Sequence, residues 1–324
     1  MNRVRLLVLG LAVCGVGHAA APNPAPVPVP PAAPVAAKAP PPAPTPFELA
    51  LVDMQGQKKV LGTLPDYVFA PRVSPDGTKV AFELAEPRTA ASQPQVLRLF
   101  VAELGKLDQR RALQPTVTAS QNLAPVWSDD GDWIAFMAQG NGADEIFWQR
   151  SDGSIQPKLL VDGRAPEGLY KGRTLVFITR TGDRDYGISA MDLNTRKVTR
   201  LIDQPGSDQH SSRVSPDGRW IAYASNETGR QEVWVEPYPG TGKRFQLTST
   251  GGRHPVWAPD GKTIYFDQDG KMFRMDVTLG TEAKGSAPAA LPIAGFQQGE
   301  ARRQFDITPD GKGFVLLFPA KPSP

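Results

Sequence analysis

Five segments of this 324-residue chain follow one design. They are Val73-Ser74-Pro75-Asp76-Gly77, Trp127-Ser128-Asp129-Asp130-Gly131, Val214-Ser215-Pro216-Asp217-Gly218, Trp257-Ala258-Pro259-Asp260-Gly261 and Ile307-Thr308-Pro309-Asp310-Gly311. Each is followed within a few residues by an apolar run, such as Val80-Ala81-Phe82, Trp133-Ile134-Ala135-Phe136 or Phe314-Val315-Leu316-Leu317. A unit repeated at near-constant spacing restricts the chain to repeat architectures, in which no unit buries its apolar face alone.

The tripeptide is itself a turn signal. Proline presets φ, aspartate accepts backbone hydrogen bonds, and glycine takes the position with φ > 0. Reading the aspartates as calcium ligands is weaker, because calcium needs six to eight oxygens on one point and these turns belong to separate units. Asp217 and Asp260 are 43 residues apart, whereas Asp130 and Asp217 are 87 apart, close to two periods. A degenerate copy fills that gap at Gly168-Leu169-Tyr170-Lys171-Gly172-Arg173-Thr174-Leu175-Val176-Phe177.

Period-2 alternation marks further strands at Leu97–Ala102, Glu145–Trp148 and Glu232–Glu236, and no dozen residues carry a helical stripe. Six copies of about four short strands predict an all-β, six-bladed β-propeller over residues 47–320. The sixth copy has room for only two strands before the 321–324 tail. Phe47–Asp53 and Lys58–Leu61 supply two more, so the N-terminal strands are expected to complete the last blade and leave no free edge.

Ahead of the propeller, Arg3 and Arg5, the apolar run Leu6–Val16 and the small residues Gly17–Ala21 read as a signal peptide, residues 1–19. Without Arg3 and Arg5 the formal charge falls from +3 to about +1, which excludes the basic footprint of a nucleic-acid binder. The one cysteine, Cys14, lies inside the signal. A second reading makes Leu11-Ala12-Val13-Cys14 a lipoprotein box that anchors the chain through Cys14. Val13 stands against it, because that position wants Gly, Ala or Ser. Residues 20–46 are nearly all Pro, Ala and Val and predict an extended tether, with a reach of up to about 75 Å at roughly 3.1 Å per residue. No later run is long and apolar enough for a transmembrane helix.

The copies His210-Ser211-Ser212-Arg213-Val214-Ser215-Pro216-Asp217-Gly218 and Pro255-Val256-Trp257-Ala258-Pro259-Asp260-Gly261 resemble the WD-like repeats of the TolB propeller family. The stretch from Ser225-Asn226-Glu227 through Trp234 to Pro239-Gly240 also resembles propellers fused to bacterial protein kinases, although nothing here matches a kinase. The TolB resemblance implies a periplasmic or secreted scaffold that binds a protein or peptide. TolB carries an α/β domain before its propeller, and here the Pro/Ala tether holds that place.

Enzyme signatures are scarce. No Gly-x-Ser-x-Gly elbow occurs, and only His210 and His254 follow the signal. Pro239-Gly240-Thr241-Gly242-Lys243-Arg244 lacks the spacing and the Ser or Thr of a phosphate loop. A binding module with no cofactor and no catalytic residue is therefore expected, as a monomer. The alternative is a lactonase- or lyase-like enzyme with a metal such as calcium in its channel. The candidate binding residues precede the innermost strand of each blade, at the channel mouth: Arg72, Asn122, Glu167, His210, Arg253 with His254, and Arg302 with Arg303. Their basic excess points to an acidic segment or carboxylate of an envelope partner. Trp127, Trp257, Phe82, Phe136 and Phe266 are expected in the core between blades.

Overall fold

A computed structural model describes residues 45–320 apart from 66, 88–94, 116–118, 141–143, 181, 183–184, 241 and 301. The signal, the tether up to residue 44 and the 321–324 tail lie outside the described residues.

Six antiparallel sheets form among the described residues, each starting where a repeat starts. Blade 1 runs through Val68–Val73, Lys79–Ala85, Leu97–Glu103 and Arg111–Ala112. Blade 2 comprises Ala119–Trp127, Trp133–Gly140, Asp144–Arg150 and Lys158–Asp162. Blade 3 comprises Arg164–Tyr170, Thr174–Arg180, Tyr186–Asp192 and Val198–Ile202. Blade 4 comprises Gln209–Val214, Trp220–Ser225, Glu232–Pro237 and Phe245–Gln246. In blade 5, Arg253–Trp257 and Thr263–Gln268 precede a long third strand, Lys271–Leu279. That strand pairs with Ala283–Gly285 along one half and Ala289–Ala294 along the other, giving this blade a fifth strand. The one helical element among the described residues is the 3-10 turn Leu107–Gln109.

Blade 6 joins both ends of the described chain. Phe305–Ile307 and Gly313–Pro319 are followed in the sheet by Phe47–Asp53 and Lys58–Leu64. Phe47 pairs with Pro319 and Asp53 with Gly313, an unbroken seven-residue register. The ring closes through hydrogen bonds between residues far apart in the sequence.

The core is divided among the blade junctions. One cluster packs Leu49, Leu64 and Leu317 of blade 6 on Val80 and Phe82 of blade 1. Another packs Trp127 and Phe136 of blade 2 on Ala81 and Leu99 of blade 1. A third joins Trp220 and Val235 of blade 4 to Trp257 and Phe266 of blade 5. Comparable clusters fill the remaining junctions. Each fully buried Phe contributes about 1.5–3 kcal/mol from the water it leaves, so the junctions carry the stability.

The repeated turns behave as their residues dictate. In blade 1 the Ser74 hydroxyl donates to Asp76 Oδ1 at 2.5 Å, the Thr78 N–H donates to the same oxygen at 3.0 Å, and Gly77 has φ of 72°. Those bonds, the Ser74 hydroxyl first, draw the Asp76 carboxyl down to about 2. Ser128–Asp130, Ser215–Asp217 and Thr308–Asp310 repeat the arrangement. In the degenerate copy, Lys171 at φ 51° and Gly172 at φ 56° make a mirror-image turn that needs neither Pro nor Asp.

Candidate binding site

In five of the six blades the innermost strand contains a bulge, whereas Phe305–Ile307 of blade 6 pairs without one. The pairing slips between Phe69 and Arg72, Leu123 and Val126, Arg164 and Pro166, His210 and Arg213, and Arg253 and Val256. At each slip one non-glycine residue has positive φ: Ala70, Ala124, Ala165, Ser211 and His254. The bulge turns a backbone N–H out of its own blade, and a neighbouring blade receives it. The Ala70 N–H donates to Gln304 Oε1 at 2.9 Å, the Ala124 N–H to Glu83 Oε1 at 2.7 Å, and the Ser212 N–H to Glu167 Oε2. Indole N–H groups do the same lower down, Trp127 to the Arg72 carbonyl and Trp257 to the Arg213 carbonyl, both at 2.9 Å.

The sequence-predicted residues sit along this axis, within the innermost strands or just ahead of them. Arg72 is buried, and its Nη1 donates to the carbonyls of Pro71 at 2.8 Å and Arg303 at 3.0 Å. Arg303 is buried beside it, donating to the Phe305 carbonyl and to Asp306 Oδ1, each at 2.8 Å. Burial lowers both guanidinium pKa values, that of Arg72 to about 10, with Asp306 opposing the effect. Burial raises Glu167, against the pull of Arg213.

Arg72, Glu167, Arg213 and Arg303 leave a space of about 20 Å³ between them, room for little more than one water. These residues form a plug across the channel. Asn122 is buried at the corresponding level of blade 2.

His210 and His254 lie one blade apart with ring centroids 5.9 Å apart. His254 is buried, and its Nδ1 shares a 2.7 Å hydrogen bond with Asp267 Oδ1. Burial, and then the neighbouring His254 and Arg253, push His210 down to about 3, so it is neutral. Arg253 is exposed. Arg302 is half-exposed and pairs at 2.6 Å with the wholly buried Glu83.

Above the plug the channel opens into a cavity of about 390 Å³. Leu123, Met137 and Ile178 supply apolar surface, and Arg164, Asp208, Glu300 and Arg302 supply charge. The cations are already matched: Arg302 by Glu83, and Arg164 by Asp144 at 2.9 Å, with the Tyr186 hydroxyl also accepting from Arg164. Asp208 carries a buried Oδ1 with no partner among the described residues, and burial raises its carboxyl. Of the eight sequence-predicted residues, His210 lines this cavity, Arg302 lines both it and the plug, and Arg72, Glu167 and Arg303 belong to the plug.

Sequence order misses Arg164, at the start of the innermost strand of blade 3, Tyr186, at the start of its third strand, and Asp208 and Glu300 of connecting loops. It also misses Glu83, although a carboxylate inside the run Val80-Ala81-Phe82-Glu83-Leu84 is a visible anomaly. Among the described residues no three His, Cys, Asp or Glu side chains converge on one point, and no helix is long and apolar enough to cross a membrane.

Fold and turns together define a six-bladed propeller built from WD-like repeats with a plugged axis. The sequence matches the TolB beta propeller domain over residues 46–245, and the chain belongs to that family. An uncharacterized protein of Agrobacterium fabrum is 30% identical over 93 residues, which span 28% of this chain and 31% of that relative. Among solved structures, a putative TolB from Agrobacterium tumefaciens superposes with a TM-score of 0.65 at 18% identity, covering 85% of this chain and 98% of that one. TolB from Acinetobacter baumannii gives 0.53 at 19% identity, covering 84% and 63%. An oligogalacturonate lyase from Vibrio parahaemolyticus gives 0.52 at 11% identity, covering 83% and 82%. At such identities these structures speak for the fold alone.

Proposed function

We propose that this protein is a binding module of the cell envelope that holds an extended segment of a protein partner in the upper channel mouth. One observation carries the reading: a cavity of about 390 Å³ combines apolar side chains with a desolvated acceptor, Asp208 Oδ1, that has no donor among the described residues. A buried acceptor left unmade costs about 1–3 kcal/mol, which an N–H of a bound peptide recovers. Because Arg164 and Arg302 are already paired, the preferred segment is one rich in apolar side chains and donors, not an acidic one. Membership of the TolB propeller family and the signal-like leader support a location in the envelope. No chemistry is assigned to the site.

Photo-crosslinking in cells tests this. A crosslinker at Glu300, exposed on the rim, is expected to trap a discrete polypeptide, while one at Lys59 on the outermost strand of blade 6 traps none. Asp208→Leu, which removes the acceptor at similar size, should weaken the Glu300 adduct. Equal adducts at both positions, or none at Glu300, would overturn the proposal.

A further inference from the structure

The repeated turns also touch one another around the lower face. A methyl group on Gly77 would lie 3.7 Å from Pro309 of blade 6, on Gly131 3.6 Å from Pro75, on Gly261 3.6 Å from Pro216, and on Gly311 2.8 Å from Pro259. In each case the glycine of one turn seats the proline of the blade before it. The pattern fails at two consecutive junctions. Blade 2 has Asp129 in the proline position, and Gly172 of blade 3 has nothing within 4 Å. In blade 3 Lys171 directly precedes Gly172 and no proline stands in the turn, and Gly218 of blade 4 meets only the Lys171 ammonium end, 3.4 Å from where its Cβ would be.

At this break the lower face opens into a cavity of about 590 Å³, separated from the upper mouth by the arginine plug. Its walls include Tyr170, Tyr238, Val256 and Trp257, and its cations are Lys171, Arg173 and Arg213. Arg213 reaches both this cavity and the plug. Arg213 is half-buried, and its guanidinium donates to the Ser212 carbonyl at 3.2 Å. Among the described residues none of these three cations has an ion-pair partner.

The lining also holds three carboxylates, with Asp129 close to Lys171 and Asp192 close to Arg173, and all three already accept hydrogen bonds. Asp306 accepts from the Val73 N–H at 3.1 Å and from Arg303, Asp192 from the Asn194 and Thr195 N–H groups, and Asp129 from the Lys171 N–H. Arg213 faces Glu167 across the plug without pairing with it. A partly desolvated arginine whose planar fork is not taken up by a carboxylate favours an anion that fits it.

We infer that the lower cavity is a second binding site, for an organic carboxylate with an aromatic or apolar body. The carboxylate sits on Arg213, with Lys171 and Arg173 adding positive potential at the opening. The body lies against Tyr238 and Trp257. Two sources share this chemistry, the C-terminus of a peptide and a free small acid.

Calorimetric titration with N-acetyl-phenylalanine and with a short peptide ending in phenylalanine, each also as its C-terminal amide, tests the site and separates the sources. Both acids are expected to bind, with the amides about tenfold weaker or more, because a charged hydrogen-bonding partner is lost. A peptide that binds at least tenfold tighter than the small acid assigns the site to a chain terminus, and equal affinities assign it to a small acid. Lys171→Glu with Arg173→Glu, two exposed side chains, should cost a further factor of about ten at low salt without touching the core. Arg213→Gln should abolish binding. Acids and amides binding alike, no saturation in the millimolar range, or indifference to the double substitution would each overturn the inference.

Discussion

Glu83 of blade 1 and Arg302 of the loop entering blade 6 form a 2.6 Å ion pair whose carboxylate is wholly buried. The other oxygen of Glu83 takes the Ala124 N–H of blade 2 at 2.7 Å, so one side chain fastens three blades. Replacing Glu83 by Ala leaves a buried N–H unpaired and strips Arg302 of its counter-charge. The expected loss is about 2–4 kcal/mol, with Glu83→Gln milder because it keeps an acceptor for Ala124. Urea denaturation of the two variants checks the order, and equal losses would contradict it.

The indole bonds from Trp127 to the Arg72 carbonyl and from Trp257 to the Arg213 carbonyl join consecutive blades near the channel. Trp127→Phe and Trp257→Phe keep the aromatic packing and orphan the two carbonyls. Each should cost about 1–3 kcal/mol, and the two should add nearly independently because they fasten different junctions. The double variant measured beside the single ones decides this.

Acid should weaken the fold partly through His210. Its folded value of about 3 lies below the usual 6.5, so the native state binds fewer protons than the unfolded chain across that interval. Stability from this group is intact above about pH 6.5 and declines as pH falls toward 3, by up to roughly 1.4 kcal/mol per pH unit. Glu167, Asp129 and Asp208 have raised values and act in the opposite sense, their penalty easing as pH falls. The difference between the native protein and His210→Gln isolates the histidine: the variant should lose less stability between about pH 7 and 4. Parallel curves would show that His210 takes up its proton in the fold.

The closing strand makes a further prediction. Removing residues 45–64 takes away the partner of Gly313–Pro319 and uncovers Leu317 and Val315, which are wholly buried. The shortened protein should lose cooperative unfolding and aggregate, because it presents a long apolar edge. A peptide of residues 45–64 added in trans should restore a thermal transition, as binding to the native form alone stabilises it.

The architecture was legible because its signal is local. Asp76-Gly77 and its counterparts set a turn through bonds within a few residues, so counting them counts blades. Lys171-Gly172 is legible from the spacing and from the apolar strand Thr174-Leu175-Val176-Phe177 that follows, since its mirror-image turn uses other residues for the same reversal. The site was less legible. Arg72, Glu167 and Arg303 were placed on the axis by their position before each turn. Their mutual burial depends on side chains from blades that meet only after the ring has closed. Glu83–Arg302 joins residues 219 apart in the chain, and no periodicity reports such a pair.

A propeller is commonly pictured as a ring around a hole, but here Arg72, Arg213 and Arg303 stand in the hole. A molecule resting against His210 and one resting against Lys171 lie in separate cavities that share no lining side chain. The ring therefore presents two faces that meet only at the plug, where Arg213 reaches the lower cavity and Arg302 the upper one.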